Sequence, residues 1–358
     1  MQKDSSDELS TQVAVIGGGP IGIETAVALQ LAGVDYELFE AKQIGETISR
    51  WPRNTHFFST PERIAISGVP LNMPDQQNPT GEQYLSYLRG VVTTFNIHVN
   101  NYEQVESITK KGGDFTLQTR TLTGQRTWHC KTVILATGGM AHPRQLHIPG
   151  ENLPHVSHGL DDPHRYFQRT LLVVGGRNSA IESTMRCWRA GAKVTLSYYR
   201  EELPRPHIKP SLRDDIDTVL RENLVRFIPA SVPMEIHPGY VILARTRDGM
   251  PQFGNTIRVE SDFVLLATGF EADMSLFAQL GVSLQGENGT PFYEPSTMET
   301  NVEGVYVAGT AAGGTQNKFE HFIETSHAHV DRILRALTGQ PAARVGYIIQ
   351  NPDQNVIH

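Results

Sequence analysis

The sequence predicts an α/β protein built from two parallel-sheet units, on three observations. An apolar run passes into a glycine-rich turn and then a helical stretch twice, from Val13 and again from Leu171. Each unit later supplies a buried-type strand that ends in Thr-Gly, at Thr137-Gly138 and at Thr268-Gly269. The 358 residues, 39% of them apolar, suffice for roughly two or three ordinary domain cores.

In the first unit Val13-Ala14-Val15-Ile16 leads into Gly17-Gly18-Gly19-Pro20-Ile21-Gly22 and a helical stretch from Ile23 to Ala32 that stops at Gly33. Gly17, Gly19 and Gly22 occupy the three positions of the dinucleotide fingerprint, which permit the turn, the close approach of a pyrophosphate and helix–strand packing. Pro20 and Ile21 lie inside the same phosphate-binding turn. The pyrophosphate would rest on the helix N-terminus, where free N–H groups and the dipole favour an anion. A second strand, from Tyr36, ends in Glu40, 18 residues past Gly22. A carboxylate there accepts the ribose hydroxyls of an adenosine and repels a 2′-phosphate, which suits FAD or NAD.

The second unit runs from Leu171-Leu172-Val173-Val174 through Gly175-Gly176-Arg177-Asn178-Ser179-Ala180 into a helix carrying Ile181, Met185 and Trp188, stopped at Gly191. Arg177 stands at the middle glycine's position. The next strand, Val194 to Ser197, ends in Tyr198-Tyr199-Arg200 with no acidic residue. Arg200 can pair with a 2′-phosphate and Arg177 adds a cation beside the phosphates, so NADPH is favoured over NADH. The alternative for both arginines is a solvated surface role. The frame is thus two Rossmann-like units, and the Thr-Gly ends let backbone approach a bound nucleotide at the strand edge.

Composition narrows the partners. With 31 Lys and Arg against 38 Asp and Glu, the formal charge is −7, so nothing attracts the molecule as a whole to nucleic acid or anionic lipid. The stretch from Met1 to Thr11 is polar and acidic, no run approaches a membrane span, and a cytoplasmic protein with no membrane partner is expected. The two cysteines, Cys130 opening a strand and Cys187 within a helix, form no Cys-x-x-Cys pair and are expected as small buried apolar residues. Neither His155, His158 and His164 nor His321, His327 and His329 has metal-ligand spacing, so no metal is expected.

These turns, together with His56-Phe57-Phe58-Ser59, His142-Pro143, Ile208-Lys209-Pro210 and the run from Glu299 to Gly309, resemble the two-dinucleotide-binding flavoprotein reductases of the thioredoxin reductase type. The bacillithiol disulfide reductase-like branch is the most similar. The resemblance implies an FAD domain split in sequence, residues 1–150 and 271–358, with an NAD(P)H domain at 151–270 inserted between, and a homo-oligomer. It also implies FAD contacts from Val105, Gly309 and Thr310, the last standing where the superfamily has an Asp. A helix beginning near Glu320 and running to Leu337 would aim its N-terminus at the flavin. Trp51, His56 and Phe57 would line the isoalloxazine, with aromatic core packing as the competing role; for Val105 the competing role is that of a plain strand residue. The branch carries a Cys before the last fingerprint glycine, where this chain has Ile21.

The expected function is therefore an FAD-dependent, NADPH-oxidising oxidoreductase, in which the cofactors carry the electron chemistry and the protein supplies alignment. A disulfide relay needs an attacking thiolate and a resolving thiol, and this chain has no such pair. Electrons would pass from flavin to an external acceptor, a small-molecule disulfide or a small redox protein. A flavin-dependent monooxygenase is the alternative enzyme, although no Phe-x-Gly-x-x-x-His motif is present. A flavin-binding redox sensor is the non-enzymatic alternative.

Overall fold

The structure is a computed structural model and describes residues 9–247, 249–316 and 320–343; Met1 to Glu8 of the acidic N-terminal stretch lie outside the described residues. The chain divides into two compact units, one formed by residues up to 142 with those from 270 onward, the other by residues 143–269.

The first unit opens on β1 (Val13–Ile16), four consecutive buried apolar residues as a strand covered on both faces requires. Helix α1 (Pro20–Leu31) follows at once, with Pro20 at its first position, where a missing N–H costs nothing. Next come β2 (Tyr36–Glu40), then α2 (Gly81–Thr94), which is started by a capping box between Thr80 and Gln83, and β3 (Val99–Asn101). An antiparallel meander of β4 (Gln104–Lys111), β5 (Asp114–Arg120) and β6 (Gln125–Cys130) leads to β7 (Thr132–Leu135). Cys130 closes β6 rather than opening a strand: the chain breaks its pairing at Lys131, whose N–H bonds to the Gln12 carbonyl before β7 begins.

The second unit contains β8 (Thr170–Val174), α3 (Asn178–Arg189), β9 (Lys193–Ser197), α4 (Pro210–Arg221) and β10 (Arg226–Ile228). An antiparallel group of β11 (Ser231–His237), β12 (Tyr240–Arg247) and β13 (Met250–Glu260) precedes β14 (Phe263–Leu266). The parallel sheet runs Val156–Ser157, β14, β8, β9, β10. Residues 143–150 pack with this unit: Leu146 and Ile148 lie on its core, and the Ile236 N–H bonds to the Pro149 carbonyl.

The chain then returns to the first unit with β15 (Val305–Val307), a 3-10 turn at Gly309–Gly313 and α5 (Ile323–Thr338). That helix starts at Ile323, later than Glu320, because Phe322 is extended and its N–H is taken by the Thr325 hydroxyl at 2.9 Å. The parallel sheet reads β15, β7, β1, β2, β3. Ile16 sits opposite both Phe39 and Leu135, and Val307 opposite Leu135. Gly17, Glu40, Thr137 and Gly309 therefore leave the sheet at one carboxyl edge, where open α/β sheets bind ligands. Among the described residues no helix is long and apolar enough to cross a membrane.

Candidate functional site

At the carboxyl edge of the first unit, the glycines differ in what surrounds them. Gly17 holds φ at +115° and a Cβ there would lie 2.3 Å from the Ala136 carbonyl oxygen; one on Gly22 would lie 1.8 Å from that of Gly17. These two glycines make the turn and the helix–strand contact. A Cβ on Gly19 would meet nothing within 4 Å, so this face of the turn is open to a ligand. No described side chain caps α1, and its first N–H groups are left for an anion.

Glu40 is nearly buried beside this turn. Its Oε2 accepts the Gly18 N–H at 2.7 Å and its Oε1 the Lys42 N–H at 2.9 Å. Burial raises the Glu40 pKa above the usual carboxylate value, the two N–H groups pull it back, and Glu46 raises it further. Its register partner on β3 is Asn101, whose buried side-chain oxygen has no partner; spacing alone did not single out this residue. The Glu103 N–H bonds to the Glu40 carbonyl, which brings the start of β4, with buried Val105, to the same edge.

The Thr137 hydroxyl is likewise buried without a partner, and Gly138 follows at φ +79°. Thr310 faces them: its hydroxyl accepts the Gly139 N–H at 3.0 Å, tying the turn after β15 to the turn after β7. Ile21, 6% exposed, lies against Gly309, where an added Cβ would come 3.3 Å from the Ile21 Cβ. The glycine turn open at Gly19, the orphaned oxygens of Asn101 and Thr137 and the Glu40 carboxylate fit a dinucleotide without a 2′-phosphate, FAD or NAD.

The aromatic residues separate. Phe57 is buried between Trp51 and Tyr84, with ring centroids 4.6 Å apart on each side, which is core packing. Trp51 is half-buried at the end of that stack, and the exposed His56 donates from Nδ1 to the Asn78 carbonyl at 2.6 Å. His329 is buried with its Nδ1 unpartnered, and burial, with His321 nearby, lowers its pKa to about 3. His321, 5.5 Å from it by ring centroid, lies against Gly313. Among the described residues no three His, Cys, Asp or Glu side chains are grouped to hold a metal.

The second unit repeats the arrangement. Val174 pairs with both Ser197 and Leu266, so Gly175, Tyr198 and Thr268 leave at one edge. Gly175 holds φ at +141°, and a Cβ on Gly176 would lie 2.5 Å from the Tyr198 ring. Arg177, exposed, is the residue before α3, whose N-terminus no described side chain caps. Ser179 is exposed on its first turn; Asn178 instead turns its side-chain oxygen to the Lys209 N–H at 2.9 Å, a link the sequence reading missed. The Tyr198 phenol is pushed up to about 12, by burial first and then by Tyr199, while the Arg200 and Arg177 cations pull it back. Both arginines thus act on the end of β9, with Arg200 lying over the Tyr199 ring at 5.1 Å. Thr268 donates its hydroxyl to the Arg144 carbonyl, and Gly269 accepts the Arg144 N–H.

Both cysteines are buried and free. Burial pushes each thiol up to about 12, and they lie in different units.

The family described as pyridine nucleotide-disulphide oxidoreductase matches residues 14–309, which span both glycine turns and Glu40. The chain belongs to this family. Its members use FAD and NAD(P)H, the groups the two sheet edges suit, and the chain is an oxidoreductase of this kind. Bacilliredoxin reductase Bdr of Bacillus subtilis (strain 168) is 33% identical over 322 residues, 90% of this chain and 95% of that protein. The solved bacillithiol disulfide reductase Bdr from Bacillus cereus has a TM-score of 0.85 at 32% identity, covering 92% of this chain and 98% of that one. A ferredoxin–NADP reductase of Ignicoccus hospitalis is 25% identical over 301 residues, 82% of this chain and 88% of that protein. The flavoprotein resemblance drawn from the glycine turns therefore holds across the chain.

Proposed function

We propose that this oxidoreductase takes reducing equivalents from NADPH and passes them from its flavin directly to an external acceptor, without a cysteine relay. The observation that carries the reading is the state of the thiols. A relay requires a thiolate beside a second thiol, and at neutral pH a group with a pKa of about 12 is almost wholly protonated. Cys130 and Cys187 are also buried and belong to different units. Ile21, buried at the second position of α1, is apolar and carries no thiol.

FAD, when bound, supplies the two-electron chemistry that joins a hydride donor to an acceptor. The protein's part is to hold it. Gly17, Gly19, Pro20, Ile21 and Gly22 shape the pyrophosphate turn, Glu40 takes the adenosine ribose, and Thr137, Gly138, Gly309 and Thr310 line the strand ends. Val105 and Trp51 border that site. In the second unit Gly175, Gly176, Arg177, Asn178 and Ser179 form the NADPH phosphate turn, Arg200 pairs with the 2′-phosphate, and Thr268 and Gly269 close the edge.

The acceptor is a small disulfide or a small redox protein, which the bacillithiol disulfide reductase and ferredoxin–NADP reductase relatives support. Following NADPH consumption against low-molecular-weight disulfides, ferredoxin, flavodoxin, quinones and oxygen tests this. Turnover with a disulfide or a redox protein, kept in a Cys130→Ala/Cys187→Ala variant, is the expected result; turnover with oxygen alone contradicts it.

A further inference from the structure

Helices α1 and α5 each carry an ionisable residue one turn inside the N-terminus, buried on α1 and partly buried on α5. Glu24 on α1, with 4% of its side chain exposed, and His327 on α5, with 16%, meet at 2.7 Å between Oε2 and Nδ1. The other ring nitrogen, Nε2, lies 2.9 Å from the Arg63 carbonyl oxygen. A carbonyl only accepts, so Nε2 carries a hydrogen and donates it. The contact to Glu24 then needs one proton, on Nδ1 or on the carboxyl group, for a hydrogen bond to exist. Glu24 Oε1 also receives the Ser67 N–H at 3.4 Å, in a turn where Ser67 holds φ at +55°. The Ser67 hydroxyl is buried without a partner beside a small cavity lined by Glu24, His327 and Val330. One polar knot therefore fastens α1, α5 and the 63–67 segment.

Both helices begin at the dinucleotide edge. The N-terminus of α1 is the open turn at Gly19, and α5 is entered from His321, which packs on Gly313 at the end of the turn that starts at Gly309 and Thr310. We propose that Glu24 and His327 are a positioning pair for FAD, holding the two helix N-termini in the one relative placement that serves the pyrophosphate and the flavin together. The proposal rests on the FAD assignment of this edge. Unshielded helix N-termini act on a charged ligand only within their first turn, so a small relative shift of α5 costs affinity without unfolding anything.

The test separates placement from mere stability. Apoprotein of wild type, Glu24→Gln, Glu24→Leu and Glu24→Leu/His327→Leu is titrated with FAD, with thermal midpoints and flavin midpoint potentials measured alongside. Glutamine can donate its amide N–H to Nδ1 and rebuild the link, so its dissociation constant stays within about threefold of wild type. Glu24→Leu raises that constant by about tenfold or more and shifts the potential. The double variant buries two apolar groups in place of the pair, an exchange that proteins often tolerate, so its thermal midpoint stays near wild type while FAD affinity remains low. Wild-type affinity in Glu24→Leu, or its recovery in the double variant together with stability, overturns the proposal. If Glu24→Leu does not fold, the glutamine and double variants decide alone. A wild-type apoprotein that takes up no FAD overturns this proposal and the cofactor assignment together.

Discussion

Gly18 donates its backbone N–H to Glu40 Oε2 at 2.7 Å, so the fingerprint turn and the carboxylate that ends β2 form one unit. The bond gives the spacing between a glycine turn and an acidic residue a structural meaning: the acid shapes the turn, and in the proposed function it also takes the adenosine ribose. Replacing Glu40 by Ala strands the Gly18 and Lys42 N–H groups and removes the ribose acceptor. FAD affinity then falls by about tenfold or more, read by titration of apoprotein with FAD.

The fingerprint glycines separate into two classes. Gly22→Ala drives a methyl group into the Gly17 carbonyl and gives protein that does not fold to the native state, seen as a lost thermal transition. Gly19→Ala places its methyl group in open space, so the apoprotein keeps its thermal midpoint within a few degrees while FAD binding is lost. Equal damage from both would remove the assignment of Gly19 to the ligand face.

Arg200 is exposed, so its charge is partly screened. Arg200→Ala raises the KM for NADPH by about fivefold, corresponding to roughly 1 kcal/mol, and leaves that for NADH unchanged. Steady-state kinetics with both nucleotides checks this, and equal effects would assign Arg200 to the solvated surface.

His329 links stability to pH. Its pKa falls from 6.5 to about 3 on folding, so the unfolded chain binds the extra proton first. A depressed folded pKa contributes stability that is complete above pH 6.5 and is lost as pH falls toward 3. The slope from this group is at most about 1.4 kcal/mol per pH unit. A folded His329→Leu variant loses less stability than wild type over that window in urea titrations; parallel curves would contradict it.

Much of this molecule was legible in the sequence because its strands and turns are local. Val13 to Gly22 and Leu171 to Ala180 each announce strand, turn and helix within a dozen or so residues, and Glu40 follows at a fixed distance. What escaped depends on contacts between distant segments. The Glu24–His327 link joins positions 303 apart, and the Thr310–Gly139 bond joins positions 171 apart; no periodicity signals either. The start of α5 also escaped, because Thr325 reaches back to cap Phe322 and delays the helix beyond Glu320. For Phe57 the sequence leaves flavin lining and core packing side by side, and only the fold brings Trp51 and Tyr84 against its ring.

In the proposed function the flavin is the sole redox centre between NADPH and the acceptor. Anaerobic titration of the oxidised wild-type protein with dithionite, followed at the flavin absorption band and by the reductant consumed, tests it most directly. A flavin acting alone takes up about two electrons per FAD before reductant accumulates, whereas a flavin with a redox-active dithiol takes up about four. Uptake of two electrons, unchanged in Cys130→Ala/Cys187→Ala, is predicted; uptake of four, falling to two in that variant, would contradict the account.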